Sequence, residues 1–177
     1  MLNYKKFLSK DQCKYFIGQA HLKGFEEGGI KLYREPTLKK VLPQIRKSLV
    51  STLPTTQRVN SLLKPLLKEY GVKKLPEEFQ IIKYRRGDYF KKHTDSGDGT
   101  NKRYKTLIIQ LSESIEYKGA DLNIYFDNTV SSLEKDQGNG ILFNSDLVHE
   151  VTELTDGVRY VLVMWFTFKH FNNKSVI

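Results

Sequence analysis

Hydrophobic and polar positions repeat with a helical period near the start of the chain. Ser9, followed three residues later by Gln12, forms a capping-box pattern that marks where a helix begins. Apolar side chains then recur on one face as far as Gly24, a residue type that commonly ends helices. The pattern predicts a helix from about Lys10 to Lys23.

A second helical pattern lies between Thr56 and Tyr70. Four leucines share one stripe in this stretch: Leu62, Leu63, Leu66 and Leu67. Pro65 would kink such a helix or restart it at a first-turn position. Residues 31–53, between the two predicted helices, are ambiguous.

After residue 76 the pattern changes to short runs of β-branched and aromatic residues that Gly, Asp and Asn separate. Such runs are typical of strands joined by tight turns. The predicted strands are Phe79 to Tyr84, Tyr89 to His93, Thr106 to Leu111, Ala120 to Phe126, Gly140 to Phe143, His149 to Leu154 and Arg159 to Phe168.

Seven or eight strands that follow a helical region predict an α+β fold. We expect two sheets in a jelly-roll, or double-stranded β-helix, core that the N-terminal helices brace on one outer face. No repeat or linker interrupts the chain, and its 177 residues suffice for one globular core. The expected organisation is a single domain over residues 1–177, with mainly helical support in residues 1–75 and the jelly-roll core in residues 76–170.

The net charge of +9 is concentrated in the first part of the chain. Residues 1–75 hold 16 basic and 5 acidic side chains, so 13 basic and 15 acidic side chains remain for the rest. A basic surface attracts anionic partners such as nucleic acid. These charges are scattered singly and not in blocks, so charge does not by itself indicate a function.

Cysteine usage and hydropathy bear on the cellular compartment. The single cysteine, Cys13, excludes an internal disulfide framework and a cysteine-rich zinc site, and it favours a reducing compartment. The start of the chain lacks the apolar run of a signal peptide, and the longest apolar stretch, Tyr160 to Phe166, is too short for a membrane helix. The sequence predicts a cytoplasmic protein that does not contact a membrane.

The segment YRRGDYFKKHTD, from Tyr84 to Asp95, contains the first candidate chemistry. His93 and Asp95 stand two residues apart at a predicted strand end, so both side chains point the same way. An imidazole and a carboxylate on one face form two corners of a metal site. A third ligand from a distant strand would complete a facial triad suited to ferrous iron. A motif this short has little specificity alone.

The second candidate segment is GNGILFNSDLVHEVTELTDGVRYVLVMWF. Here Arg159 follows His149 by ten residues, and a turn at Thr155, Asp156 and Gly157 would place the two on adjacent antiparallel strands. A buried guanidinium needs an anion, and its planar fork suits a carboxylate. A metal site with an arginine nearby describes a pocket for a dicarboxylate that also chelates the metal.

These segments together resemble the iron(II) and 2-oxoglutarate dependent dioxygenases, and among them the prolyl 4-hydroxylase-like group. FLSKDQCKYFIGQA is similar to the opening helix of that group, and FQIIKYRRGDYFKKHTD matches its Tyr, Gly, His and Asp spacing. The tail matches G-x-l-x-F, H-E-V, G-x-R and a final Trp in the same order. Five separate motifs therefore occur in the order and spacing of that group, and together they extend over most of the chain.

The resemblance implies roles for residues near the metal. The iron ligands, and thus the catalytic residues, would be His93, Asp95 and His149. Arg159 would pair with the far carboxylate of 2-oxoglutarate, and Tyr84 would help by donating its hydroxyl. Gln110 stands where the group often has a second Tyr, and it can still donate a hydrogen bond to the cosubstrate.

The resemblance also implies a substrate mouth and a reaction. Arg103, Phe90 and Trp165 match positions that line the mouth in the prolyl hydroxylases, and the Gly-rich loop from Ser96 to Lys102 is expected to act as a lid. The cofactors would be Fe(II), 2-oxoglutarate and dioxygen, with ascorbate as an accessory reductant. The products would be a hydroxylated prolyl residue of a peptide or protein, succinate and carbon dioxide.

Three alternative functions stay open at this point. Basic residues around the metal motif favour a nucleic-acid substrate, although Trp165 stands where the nucleic-acid repair branch usually has a second Arg, six residues after Arg159. A free amino acid or small natural product is another possible substrate. A non-catalytic jelly-roll binding module is the third alternative, and the intact set of metal ligands and Arg159 opposes it.

Overall fold

Two α-helices and three short 3₁₀ helices lie in the residues that the computed structural model describes, which are 3–32, 35–96, 103–127 and 129–171. Helix α1 spans Lys10–Lys23 and helix α2 spans Gln57–Leu67, and the 3₁₀ helices span Lys68–Tyr70, Ser114–Glu116 and Phe168–His170. Within the described ranges, no helix has the length and apolar character needed to cross a membrane.

The ends of α1 confirm the capping signals. Ser9 Oγ accepts a hydrogen bond from the backbone N–H of Gln12, and Gln12 Oε1 accepts one from the backbone N–H of Ser9. Gly24 ends the helix with φ at +90° and donates its N–H to the carbonyl oxygen of Ala20. Local hydrogen bonds therefore fix this helix where the sequence predicts it.

Helix α2 begins after Thr56, whose side chain accepts a hydrogen bond from the N–H of Val59. Val59, Leu63 and Leu67 are buried on one face. Of the four leucines predicted to share a stripe, Leu63 and Leu67 are therefore buried, whereas Leu62 and Leu66 are only partly buried. The helix continues through Pro65 and ends at Leu67, so the second of the two effects expected of Pro65, a restart of the helix, is wrong. Burial of the leucine stripe on both sides of Pro65 favours one continuous helix over a restart.

Fifteen strands lie in the part of the chain that the structure describes. They are β1 Asn3–Lys6, β2 Glu26–Glu27, β3 Ile30–Leu32, β4 Glu35–Lys40, β5 Arg46–Lys47, β6 Leu49–Pro54, β7 Glu78–Arg85, β8 Tyr89–His93, β9 Lys105–Gln110, β10 Tyr117–Gly119, β11 Leu122–Phe126, β12 Thr129–Ser132, β13 Asn139–Asn144, β14 His149–Val151 and β15 Leu154–Phe166. The seven predicted strands are all present, within a few residues at their ends.

The prediction that residues 1–75 are mainly helical is wrong, because six of these strands lie there. Strand β6 pairs along its whole length with β7, and β5 pairs with β8. The paired residues are 24 to 44 positions apart in the chain, so the local pattern of residues 31–53 does not reveal the pairing.

The strands form two sheets that face each other, and a separate hairpin of β3 and β4. The major sheet has the order β1-β13-β9-β15-β7-β6-β2 with β10 added beside β15, and the minor sheet has the order β12-β11-β14-β8-β5. The pairings are antiparallel in the described residues. This is the expected jelly-roll core.

The central strands of the major sheet bury both faces. On β7, Phe79 and Ile81 pack in the cluster beneath the two helices, whereas Ile82 and Tyr84 pack between the sheets. Strand β15 alternates in the same way, with Met164 toward the helices. Because successive side chains of a strand point to opposite faces of the sheet, every second residue of these strands points into the space between the sheets, where the candidate site lies.

Candidate metal centre and anion pocket

Three potential metal ligands meet between the sheets. His93 ends β8 and His149 begins β14, and the two residues pair directly across these neighbouring strands. Asp95 Oδ2 lies 3.5 Å from His149 Nε2, and Asp95 Oδ1 lies 3.9 Å from His93 Nε2. One ligand atom from each residue lies within 4.8 Å of the others, so the group can hold a metal ion.

Backbone carbonyls orient both imidazoles toward this centre. His93 Nδ1 lies 2.7 Å from the carbonyl oxygen of Lys91, and His149 Nδ1 lies 2.9 Å from that of Leu147. Because a carbonyl oxygen only accepts, each Nδ1 carries the proton and each Nε2 keeps a lone pair for a metal. The Phe90 ring stacks on His93 with 3.5 Å between ring centroids and 14° between planes.

The charge states of these groups suit a metal. Burial, together with the neighbouring His149, lowers the pKa of His93 to about 4, against the opposing effect of Asp95. Burial would raise the pKa of the Asp95 carboxyl, but His149, Arg103, His93 and the Thr106 hydroxyl outweigh that effect and hold the pKa below its ordinary value. At neutral pH the site therefore offers a neutral His93 and an ionised Asp95.

Arg159 on β15 lines the same pocket and is only 2% exposed. It stands directly opposite Tyr84 of β7, and its Nε donates a hydrogen bond to Gln110 Oε1 at 3.0 Å. Its Nη1 is buried without a hydrogen-bond partner among the described residues. A buried guanidinium nitrogen without an acceptor is a position for an anionic ligand atom.

The predicted route by which His149 and Arg159 meet is wrong. Thr155 to Gly157 form no turn between them: these residues lie inside β15, where Gly157 pairs with Tyr117 of β10. Strand β14 belongs to the minor sheet and β15 to the major sheet. His149 and Arg159 therefore face one pocket across the gap between the sheets and not within one sheet.

The Gln110 side chain contacts Arg159 and the backbone just after the end of β9. Its side-chain nitrogen donates to the carbonyl oxygen of Ser112 at 3.2 Å, while its oxygen accepts from Arg159. A direct contact between Gln110 and a cosubstrate stays a prediction. In the structure, the hydrogen bond from Arg159 Nε to Gln110 Oε1 orients the Arg159 guanidinium.

The predicted substrate-mouth residues lie around the metal ligands. The Arg103 guanidinium carbon is 3.8 Å from the centroid of the Trp165 ring, and Arg103 Nη1 is 3.8 Å from Asp95 Oδ1. Trp165 and Phe90 line the pocket. Of the predicted lid, Ser96 to Lys102, only Ser96 belongs to the described residues.

Arg46 of β5 is a pocket residue that sequence reasoning missed. It is 6% exposed, its guanidinium carbon lies 4.8 Å from the Phe90 ring, and its Nε donates to Ser48 Oγ. Burial lowers the pKa of Arg46, while Tyr84 and Asp95 act in the opposite direction. The segment QIRKSLV does not distinguish Arg46 from Lys47, because only its pairing with Phe90 of β8 places it inside.

The remaining pocket wall is apolar, and its members are Ile82, Ile108, Leu122, Val151, Val161 and Val163. Three buried side-chain nitrogens of the lining lack hydrogen-bond partners within the described residues: Arg46 Nη2, Arg159 Nη1 and Trp165 Nε1. All three are donors. The pocket therefore fits a ligand rich in acceptor oxygens, such as a dicarboxylate, beside a metal held by nitrogen and oxygen ligands.

Comparison with known protein families agrees with this chemistry. The model of the 2OG-Fe(II) oxygenase superfamily matches residues 79–167, which is half of the chain. The chain belongs to the 2OG-Fe(II) oxygenase superfamily. The family implies Fe(II) and 2-oxoglutarate as cofactors, and the matched segment contains the His93, Asp95 and His149 cluster.

Curated relatives of this superfamily member are hydroxylases. A PKHD-type hydroxylase of Prochlorococcus marinus is 26% identical over 132 residues, which are 73% of this chain and 60% of that protein. A PKHD-type hydroxylase of Acinetobacter baumannii is 32% identical over 90 residues, or 47% of this chain and 40% of that one. The chain thus spans about half the length of the curated relatives it matches.

Solved structures of prolyl hydroxylases share the fold of this oxygenase. A prolyl-4-hydroxylase of Pseudomonas putida superimposes with a TM-score of 0.71 at 16% identity, covering 94% of this chain and 91% of that one. A prolyl hydroxylase of Trichoplax adhaerens, in complex with a hypoxia inducible factor peptide fragment, gives 0.76 at 17% identity, covering 95% and 84%. The jelly-roll prediction is confirmed.

Proposed function

We propose that His93, Asp95 and His149 hold Fe(II) in this chain and that Arg159 binds the far carboxylate of 2-oxoglutarate. One observation carries the proposal: three convergent metal ligands line one pocket with the buried Arg159, whose Nη1 has no hydrogen-bond partner in the described part of the chain. Two imidazole nitrogens and one carboxylate oxygen leave coordination positions open for a chelating cosubstrate and dioxygen.

The metal and its cosubstrate supply the oxidation of an unactivated carbon when bound, with release of succinate and carbon dioxide. The chain supplies binding and orientation. The carbonyls of Lys91 and Leu147 fix the imidazole tautomers, and Gln110 fixes Arg159. The apolar wall excludes water from the reacting carbon.

For the substrate, we infer a prolyl residue of a peptide or protein. The names of the solved structural neighbours support this, because they include prolyl hydroxylases and one peptide complex. In this chain, the Arg103 and Trp165 stack at the metal centre offers a flat apolar face and a cation to a peptide. Dioxygen and ascorbate complete the proposed set of cofactors and reductants.

We also propose that residues 1–177 form a single domain in the cytoplasm. The cluster beneath the helices and the cluster between the sheets share the major sheet, which supports one folding unit. Cys13 is buried and free, and burial raises the pKa of its thiol to about 11, so the chain carries an unreactive thiol compatible with a reducing compartment.

The test is succinate formation from 2-oxoglutarate with Fe(II), dioxygen and ascorbate, together with mass spectrometry of a panel of proline-containing peptides. We expect succinate to depend on Fe(II), one oxygen atom to be added to a peptide, and both to be lost in His93→Ala. His21→Ala is the matched control, since His21 is exposed and contacts Tyr160 outside the pocket; it should keep full activity.

Two results would contradict parts of this proposal. If the Fe(II)-loaded protein neither binds 2-oxoglutarate nor releases succinate, the dioxygenase proposal is wrong and a non-catalytic module is favoured. If succinate forms but the added oxygen appears on an oligonucleotide or a free amino acid and on no peptide, the dioxygenase stands and the prolyl substrate is wrong.

A further inference from the structure

Ser145 joins the three chain segments around the carboxylate of the metal centre. Its N–H donates to the carbonyl oxygen of Tyr104, and its own carbonyl oxygen accepts from the N–H groups of Asp95 and Ser96 at 2.8 and 2.9 Å. Its hydroxyl lies 2.9 Å from that of Thr106. Ser145 and Thr106 are both fully buried. Through its hydrogen bonds, Ser145 in the turn after β13 connects the start of β9 with the loop after β8.

Thr106 links this junction to the carboxylate itself. Thr106 Oγ1 donates a hydrogen bond to Asp95 Oδ2 at 2.8 Å. An ionised carboxylate only accepts, so the Thr106 proton points to Asp95. The Ser145 hydroxyl must then donate its proton to Thr106 Oγ1. The result is a directed chain from Ser145 through Thr106 to Asp95, in which each bond polarises the next.

We propose that Thr106 and Ser145 are positioning residues that hold the Asp95 carboxylate in its metal-binding orientation, with the Ser145 hydroxyl acting through Thr106. This inference rests on the proposed metal centre. The hydroxyl of Thr106, on β9, holds Oδ2 of the carboxylate, and the carbonyl oxygen of Ser145 holds the backbone N–H of Asp95. Hydrogen-bonded partners of metal ligands set ligand orientation and so contribute to metal affinity.

The variants have distinct expected effects on the dissociation constant for Mn(II), measured alone by electron paramagnetic resonance. Thr106→Val keeps the shape and removes the hydroxyl, and it should weaken Mn(II) binding by about 10-fold to 100-fold. Thr106→Ser keeps the hydroxyl and should restore most of the affinity. Ser145→Ala should have a smaller effect, about threefold to tenfold, because the Thr106 bond to Asp95 remains.

The double variant separates positioning from general destabilisation. Because the Ser145 hydroxyl acts on the carboxylate through Thr106, the variant with both Thr106→Val and Ser145→Ala should bind Mn(II) as weakly as Thr106→Val alone. Ser51→Ala is the matched control, since Ser51 is a buried hydroxyl of the major sheet that contacts the carbonyl oxygen of Ala20. Its loss should leave the Mn(II) affinity unchanged.

The outcomes distinguish this inference from the metal centre on which it rests. Unchanged Mn(II) affinity in Thr106→Val, or fully additive effects in the double variant, would overturn the positioning role of Thr106 and Ser145. Mn(II) binding by the wild-type protein would still support the metal centre in that case. Absence of Mn(II) binding in the wild-type protein would overturn both. If Thr106→Val does not fold by circular dichroism, Ser145→Ala decides, and an unchanged affinity there counts against the chain.

Discussion

The buried Arg159 Nε donates a hydrogen bond to the buried Gln110 Oε1 at 3.0 Å, which ties β15 to β9 at the anion pocket. The amide nitrogen of Gln110 is in turn held by the carbonyl oxygen of Ser112. With its Nε occupied, the guanidinium of Arg159 offers a ligand its Nη1, which has no hydrogen-bond partner among the described residues. Gln110 thus orients Arg159 at the anion pocket.

Replacing Gln110 should weaken cosubstrate binding without loss of the metal. In Gln110→Leu, Arg159 Nε loses its acceptor, and a hydrogen bond to a charged group contributes about 1.5–3 kcal/mol, so the dissociation constant for 2-oxoglutarate should rise by roughly 10-fold to 100-fold. Isothermal titration calorimetry of the Mn(II)-loaded protein measures this change. Gln80→Leu makes the same substitution elsewhere in the major sheet and should leave the constant unchanged; equal effects in both variants would contradict the orienting role.

Removal of Arg103 should tighten metal binding. Arg103 Nη1 lies 3.8 Å from Asp95 Oδ1, so its positive charge competes with a dication for the same carboxylate. Arg103→Met removes this positive charge. Because solvent partly screens the repulsion between Arg103 and the metal ion, we expect the Mn(II) affinity to rise by only about threefold to tenfold. Substrate binding should weaken in the same variant, since the stack on Trp165 is lost. A weaker Mn(II) affinity would show that Arg103 supports the ligand geometry.

The metal-free protein should lose stability in mild acid. The pKa of His93 is lowered from 6.5 to about 4 in the folded state, so the unfolded chain binds more protons between these values, and stability falls as the pH drops through that window. The lowered pKa of Asp95 acts with the same sign at lower pH. From pH 7.5 to pH 5, the free energy of unfolding should decrease by about 2 kcal/mol from His93.

Urea unfolding in the presence of a chelator measures this pH effect. His93→Gln should flatten the dependence between pH 7.5 and pH 5, while the smaller contribution of His170, whose pKa is also lowered by burial, persists in both proteins. The same slope in wild type and His93→Gln would rule out His93 as its source.

Two glycine substitutions should change stability in opposite directions. Gly157 has φ at +77°, and a Cβ there would clash with the carbonyl oxygen of Glu116, so Gly157→Ala should cost about 2–4 kcal/mol. Gly18, exposed inside α1, has no atom within 4 Å of such a Cβ, and Gly18→Ala should stabilise by about 0.5–1 kcal/mol. Chemical denaturation of both variants checks the pair, and a tolerated Gly157→Ala would argue against the close approach of β10.

Features set by neighbouring residues were predictable from the sequence. The capping box of Ser9 and Gln12 marked the start of α1 and Gly24 its end, and the short runs of β-branched and aromatic residues after residue 76 indicated strands such as β8. The spacing of His93 and Asp95 on one face indicated a metal centre, and the resemblance to known oxygenases supplied His149 and Arg159. Such signals are contained in a few consecutive residues or in a family pattern, so no tertiary contact is needed to detect them.

The sequence therefore determined the two helices, seven of the nine strands described after residue 76 and, together with the family resemblance, the three candidate metal ligands. The tertiary structure decided that His149 and Arg159 lie on opposite sheets, that Arg46 is buried beside Phe90, and that Gln110 contacts Arg159. These features depend on which strands pair and which faces oppose each other. Contacts of this kind join residues far apart in the chain, and local periodicity carries no information about their partners.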